Sequence, residues 1–159
     1  MISFNLQKNG RVYVPINIKP RNKLVLSRVE FKVDTGADCS TISKSDLIEL
    51  GYDMDWITQN VVIFHEENRP TTASGERVNA GYVKLPLINL LGYEGKQWPF
   101  QIIMNENQDF RNLLGRDLLT GFNYTFSNDE DLLLMEKTKT FKPRYPFLPD
   151  QEIHEIAAK

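Results

Sequence analysis

The chain has 159 residues, of which 41% are hydrophobic and 25% charged, and this is the size and composition of one ordinary globular domain. The net charge of −2, with Lys and Arg scattered along the chain, excludes a basic stripe for nucleic acid. The longest apolar stretch is far too short for a membrane span, and the single cysteine cannot form an internal disulfide. These features predict a cytoplasmic protein with no nucleic-acid or membrane partner.

The first third of the chain alternates apolar and polar residues. Residues 12–16 and 24–33 each follow the period of two that is typical of half-buried strands, and Pro15 favours an edge position for the first of them. A short helix is predicted next. Ser43 can cap its start, and Gly51 can adopt the left-handed conformation that ends it.

The rest of the chain predicts mostly strands. In chain order these elements are a strand at 61–64, a hairpin of 71–73 and 77–87 around Ser74-Gly75, a strand at 97–104, one helical turn at 117–121, and a hairpin of 122–126 and 132–136. A proline-rich stretch at 142–149 predicts extended chain, and 151–159 could form a short helix. We therefore expect a mostly β domain at 1–137 and a proline-rich C-terminal tail at 138–159.

Two short motifs stand out against this background. In residues 31–38, Phe-Lys-Val-Asp-Thr-Gly-Ala-Asp, an apolar strand delivers Asp34 into a Thr-Gly turn. About eighty residues later comes Asn-Leu-Leu-Gly-Arg-Asp-Leu-Leu at 112–119, and the Ser74-Gly75 hairpin lies between them. The order and spacing of these segments resemble the retropepsin-like, or retroviral-type, aspartic peptidases, and a cellular or prokaryotic member fits better than a viral one.

The resemblance implies a fold and an activity. The fold would be a single small closed β-barrel-like acid-protease domain with a flap hairpin and one or two short helices. The activity would be that of an aspartic endopeptidase, in which a water molecule is activated between two carboxyls that share one proton, without metal or cofactor. Because the chain has one Asp-Thr-Gly and no internal repeat, the second Asp34 would come from a homodimer partner.

The resemblance also implies supporting roles around Asp34. Thr35 would form hydrogen bonds across the dimer axis, and Gly36 would permit close backbone approach to the substrate. Asp38 would pair with Arg116, which would fix the loop to the later turn.

The same resemblance implies a set of residues that contact an extended peptide or protein substrate. Ala37 and Asp38 would hold the peptide, and Leu113 would line a side-chain pocket. Ser74 and Gly75, at the flap tip, would close over the substrate and exclude water. The flap tip is less glycine-rich here than in retroviruses, and the chain is longer than a retroviral enzyme.

Other interpretations stay open on the sequence alone. Asp34 could lie in an ordinary Gly-containing turn, and Asp38 and Arg116 could be unrelated solvated charges. The chain could be a catalytically silent retropepsin-fold module that dimerises and binds peptides. It could also be a latent enzyme whose tail, residues 140–159, covers the cleft.

Overall fold

A computed structural model describes residues 1–71, 74–105 and 110–141, together with the backbone of 156–158. The strands are β1 (Ile2–Asn5), β2 (Tyr13–Ile18), β3 (Ser27–Val33), β4 (Val62–Ile63), β5 (Ala80–Leu90), β6 (Tyr93–Ile103), β7 (Leu113–Leu114), β8 (Phe122–Ser127), β9 (Leu132–Lys137) and β10 (Ile156–Ala158). The helices are α1 (Lys44–Glu49), α2 (Met54–Asn60) and α3 (Arg116–Leu119), with a 3-10 turn at Glu66–Asn68. The mostly β class predicted from the sequence is confirmed.

The larger sheet has the strand order β10-β6-β5-β2-β3-β7, with β4 added beside β5. Along β2 the predicted alternation is present, because Val14, Ile16 and Ile18 are fully buried between partly exposed neighbours. The prediction of an edge strand from Pro15 was wrong, since β2 lies between β3 and β5. Pro15 pairs with β3 alone, and β5 meets β2 only at its last two residues, so no ladder bond to β5 is lost at the proline.

The two sequence motifs meet in this sheet through one short parallel pairing. Lys32 lies opposite Leu113, and Val33 lies opposite Leu114. This is a parallel pair in a sheet whose other strand pairs are antiparallel within the described residues. It ends immediately before Asp34, so the loop that follows β3 and the turn that follows β7 begin side by side.

The expectation of a closed barrel is not confirmed, because neither sheet among the described residues forms a complete ring of strands. The gap between β6 and β7 is crossed by a single chain segment. Thr41 forms one bridge to Gln101 of β6 and another to Leu113 of β7. The N–H groups of Thr41 and Leu113 each donate to the other's carbonyl at 2.9 Å, so one residue replaces the missing strand pairing.

The main core lies inside this curved sheet. Its largest fully buried side chains include Trp98, Phe31 and Phe100, and the rings of the two phenylalanines lie 5.8 Å apart. Burial of each such side chain contributes on the order of 1.5–3 kcal/mol. The apolar backing of β3 and β6 therefore supports the loop that carries Asp34.

The predicted helix after residue 43 is confirmed in detail. The Ser43 side chain caps α1 by accepting from the Asp46 N–H at 3.1 Å, and Gly51 has a φ of +89° where the helix stops. The sequence interpretation missed α2 altogether. Its start is marked by Asp53, whose carboxylate accepts from the Trp56 N–H at 2.9 Å.

The smaller sheet has the order β1-β9-β8 and includes the predicted C-terminal hairpin, which is confirmed. Leu133 and Met135 of β9 are fully buried, whereas β8 is an edge strand with an exposed face. On β8, Tyr124 is 36% exposed and Phe126 is 41% exposed. Large apolar side chains on an edge strand mark a surface suited to contact with another chain.

The tail was predicted to end in a short helix, and this prediction was wrong for residues 156–158. They form β10, which pairs antiparallel with Tyr93, Glu94 and Gly95 of β6. The predicted extended stretch at 142–149 lies outside the described residues. Within the described ranges, no helix has the length and apolar character needed to cross a membrane.

Candidate active site

The Asp34 loop is held at both ends by backbone hydrogen bonds. The Asp34 N–H donates to the Leu114 carbonyl at 3.0 Å, and the Ala37 N–H donates to the Asp34 carbonyl at 3.2 Å. The Asp34 side chain accepts from the Gly36 N–H through Oδ1 at 3.0 Å. Asp34 is half-buried, while Thr35 and Gly36 are exposed. The loop therefore presents its Asp-Thr-Gly to the surface with the carboxyl already oriented.

The turn after β7 is joined to the same loop by backbone hydrogen bonds. The Arg116 N–H donates to the Ala37 carbonyl at 2.8 Å, and the Asp117 N–H donates to the Asp38 carbonyl at 3.1 Å. The approach requires glycine at 115, because a Cβ there would lie 2.6 Å from the Cys39 carbonyl carbon. The Gly-Arg of the second motif thus positions the first motif through the backbone.

Asp38 and Arg116 are brought to adjacent segments, but their side chains form no ion pair in the described chain. The ion pairs there are Arg21 with Asp53 and Arg28 with Glu30. Asp38 and Arg116 are both exposed. The link between their segments is made by the two backbone hydrogen bonds described above, and a side-chain pair between them stays a prediction.

Asp117 is a buried carboxyl that the sequence interpretation passed over. Its Oδ1 accepts from the Ser40 N–H at 2.9 Å, the Ser40 hydroxyl at 2.7 Å and the Leu118 N–H at 2.9 Å. The Ser40 Oγ in turn accepts from the Gly115 N–H at 3.0 Å. Ser40 and Asp117 therefore connect the two motifs through a buried polar network.

The second oxygen of Asp117 has no partner in the described structure. Asp117 is only 2% exposed, and burial raises its pKa to about 7 against the lowering effect of the hydrogen bonds from Ser40 and Leu118. The available sequence signal was an acidic residue directly before a Leu-Leu pair that is itself buried. A carboxyl directly before two buried leucines is itself placed in the protein interior.

A groove of about 500 Å³ runs beside the Asp34 loop. Three of the predicted substrate-binding residues, Ala37, Asp38 and Leu113, line it together with Gly36. Further lining residues are Cys39, Thr41, Gln101 and the segment 67–71. Cys39, the single cysteine, is buried and is one of the residues that line the groove.

The predicted flap tip does not line this groove in the single chain. Ser74 and Gly75 are exposed, and Gly75 has a φ of +88°, which suits a turn. Thr71 and Arg77 form an antiparallel bridge at the base of this turn. The hairpin is therefore present at its base, while residues 72 and 73 lie outside the described part of the chain.

Metal binding has no candidate ligand set in the residues that the structure describes. No group of three or more His, Cys, Asp or Glu side chains lies close enough there to hold an ion. The polar groups around the Asp34 loop are carboxyls, hydroxyls and backbone amides.

The site thus consists of a mostly β domain in which backbone hydrogen bonds from the Gly-Arg turn hold the Asp-Thr-Gly loop. A family model described as "Aspartyl protease" matches residues 15–118, which include both motifs. The chain belongs to this family.

Comparison with solved structures supports the fold through one match with a TM-score above 0.5. A retropepsin-like aspartic protease from Rickettsia conorii superposes with a TM-score of 0.59 at 24% identity, covering 84% of this chain and 88% of that one. The retroviral protease-like domain of Ddi1 from Leishmania major matches at 18% identity with a TM-score of 0.45, covering 96% and 99%. The likeness to the Rickettsia conorii protein shows a retropepsin-like fold. No curated protein matches the chain.

Proposed function

We propose that this chain is an aspartic endopeptidase that acts as a homodimer, with one Asp34 from each subunit in the catalytic pair. The observation that carries the proposal is the Asp34 loop itself. It is fixed by the β3–β7 pairing and the Gly-Arg turn, yet its Thr35 and Gly36 are exposed. A hydrogen-bonded loop that presents one carboxyl would supply half of a two-carboxyl site.

The chemistry follows from bringing two such carboxyls together around one water molecule. Two carboxyls about 3 Å apart cannot both be ionised, so the pair shares a proton. The ionised Asp34 removes a proton from the water, and the protonated one donates to the carbonyl oxygen of the scissile peptide bond. The Gly36 N–H, which donates to Oδ1, would stabilise the carboxyl in the required orientation.

The second subunit would meet the first through the loop face and the β8 edge. Tyr124 and Phe126 expose apolar area on β8, which follows directly after α3 and its Gly-Arg turn. Pairing of two β8 strands would bury both side chains and satisfy an unpaired strand edge. In such a dimer Thr35 would contact its symmetry mate, and Ser74 and Gly75 would close over a bound peptide.

The proposed function also includes a domain division, a cellular location and a substrate class. Residues 1–137 form the peptidase domain and 138–159 the tail, with Asp38 and Arg116 supporting the loop. A cytoplasmic location is proposed, in keeping with the buried thiol of Cys39. The proposed substrates are extended polypeptides, which would lie in the groove lined by the loop and segment 67–71.

The test is Asp34→Asn, compared with wild type by cleavage of a mixed peptide library at pH about 4 to 7, where one carboxyl of a pair can stay protonated. We expect cleavage by the wild type and none by the variant, with the same dimer mass for both in analytical ultracentrifugation. Asp129→Asn, in the exposed β8–β9 turn, serves as the matched control. Cleavage that survives in Asp34→Asn, or a strictly monomeric active enzyme, would refute the proposal.

A second candidate function is a peptide-binding module without catalysis. It is favoured by the fact that the residues that line the groove do not include Asp34. Peptide binding by the wild type with no product at any pH would establish this candidate in place of the first.

A further inference from the structure

The groove beside the Asp34 loop is lined by apolar residues, which we call its apolar side, and by two neutral polar residues in mutual hydrogen-bond contact, which we call its polar end. Ala37, Cys39 and Leu113 contribute the apolar side. The polar end is formed by Thr41 and Gln101, where the Gln101 Nε2 donates to the Thr41 Oγ1 at 3.1 Å. A substrate side chain bound in this groove would therefore contact both apolar groups and hydrogen-bonding groups.

The polar end is held in place by the backbone. Thr41 exchanges two hydrogen bonds of 2.9 Å with Leu113, and the carbonyls of Ser40 and Gln101 accept from the N–H groups of Gln101 and Ile42 at 2.9 and 3.0 Å. Thr41 is only 3% exposed. The bridge that links β6 to β7 therefore fixes the backbone from which both side chains project, and the hydrogen bond between them links the two side chains.

The hydrogen bond between the two side chains leaves capacity for a ligand. A threonine hydroxyl that accepts one bond still carries a hydrogen to donate, and a glutamine amide that donates one N–H keeps a second N–H and its carbonyl oxygen. An apolar tip placed against these groups would leave them desolvated and unpaired, which is unfavourable. A site of this kind discriminates against ligands that lack the hydrogen-bonding group.

The charges in and around the groove bear on whether it would bind a charged or a neutral substrate side chain. The groove contains two carboxylates, Asp38 and Glu67, and one guanidinium, Arg69, whose Nε donates to the Phe64 carbonyl at 3.3 Å. None of these three side chains forms an ion pair with another described residue, and the two residues of the polar end carry no charge. A charged tip would have to lose its hydration against the neutral Thr41 and Gln101, which disfavours both signs of charge.

We propose that this groove selects a substrate side chain with an apolar stem and a neutral amide tip, which is that of glutamine, and that Thr41 and Gln101 determine the selection. The inference rests on the proposed endopeptidase function and adds its substrate class. The glutamine methylenes would lie against Leu113 and Ala37, while its amide would both donate to and accept from the Thr41–Gln101 pair. In a symmetric dimer each subunit supplies one such groove, so the preference appears once on each side of the scissile bond.

The experiment uses a peptide library in which each position flanking the scissile bond carries Gln, Leu, Glu or Lys. For the wild type we expect kcat/KM for Gln over Leu to be about tenfold or more at one position on each side. In the double variant Thr41→Val with Gln101→Leu, which keeps both shapes, the ratio should fall to about one or invert. The matched control is Thr58→Val with Gln59→Leu on the exposed side of α2, which should leave the ratio unchanged.

A binding measurement separates failure of this inference from failure of the proposed function. Fluorescence anisotropy of labelled peptides on Asp34→Asn protein reads selection without cleavage, and the same Gln preference is expected there. Cleavage or binding with no preference for Gln, a preference for Leu, Glu or Lys, or a Gln preference that survives in the double variant would each overturn the inference. Wild type that binds Gln peptides selectively but cleaves none would refute the peptidase and leave the selection standing; binding of no peptide would overturn both. If the double variant does not fold, the preference of the wild type for Gln over Leu, Glu and Lys still tests the inference.

Discussion

Replacing Asp117 with asparagine should remove a large pH dependence from the stability of this domain. The asparagine amide would keep the shape of the side chain and an Oδ1 that accepts from Ser40 and Leu118. It would carry no charge at any pH. The substitution therefore isolates the ionisation of one buried carboxyl from the packing and hydrogen bonds around it.

The expected magnitude follows from the pKa, which burial raises from 3.8 to about 7 in the folded chain. Below about pH 4 both the folded and unfolded chains hold the proton, so ionisation of Asp117 contributes nothing. Between about pH 4 and 7 the unfolded chain has released its proton while the folded chain retains it, and the free energy of unfolding falls as pH rises. Above about pH 7 the full loss is reached, on the order of 4 kcal/mol.

The assay is urea unfolding of wild type and Asp117→Asn at a series of pH values from about 4 to 8, at one fixed protein concentration. The free energy of unfolding of the variant, relative to that of the wild type, should rise by about 4 kcal/mol across this range. Asp129→Asn in the exposed turn reports the effect of removing a surface carboxyl. A difference between variant and wild type that stays flat across this pH range, or wild type gaining stability over the variant as pH rises, would refute the reasoning.

In thermal unfolding, Gly115→Ala should destabilise the fold by about 3 kcal/mol or more, because its Cβ would meet the Cys39 backbone at 2.6 Å. The control is Gly10→Ala, which has open space around it but a φ of +81°, and it should destabilise the fold by only about 1–2 kcal/mol. Ser43→Ala removes the α1 cap and should cost about 1 kcal/mol by urea unfolding, whereas an unchanged midpoint would show that the cap is not needed. Phe126→Asp should shift the proposed dimer toward monomer in analytical ultracentrifugation and lower activity in parallel, while Leu24→Asp, at a position 91% exposed in the β2–β3 connection, should leave the dimer intact.

The sequence predicted the local structure best where one short-range signal decides the conformation. Ser43 and Gly51 fixed the ends of α1, and the polar turn between β8 and β9 defined their hairpin. The Asp53 cap of α2 was an equally local signal that the pattern analysis overlooked. Elements of this kind depend on contacts within three or four residues, which a single sequence displays directly.

The features that the sequence could not supply depend on contacts between distant segments. Nothing local indicates that Asp117 would be buried against Ser40, or that Thr41 would form hydrogen bonds with Gln101. The same holds for the open gap between β6 and β7, because strand patterns do not encode whether a sheet closes. The resemblance located the Asp34 loop and Leu113, whereas the character of the groove required coordinates.

The parallel pairing of Val33 with Leu114 has a consequence for when the Asp34 loop can fold during synthesis of the chain. Since the segment that shapes the Asp34 loop lies about eighty residues further along the chain, the loop can take its native form only after that segment has been synthesised and docked. A nascent or truncated polypeptide ending before Leu113 would carry the Asp-Thr-Gly without the backbone hydrogen bonds that orient it. The hydrogen bonds that hold the Asp34 loop can therefore form only once residues 113–117 have left the ribosome and folded against β3.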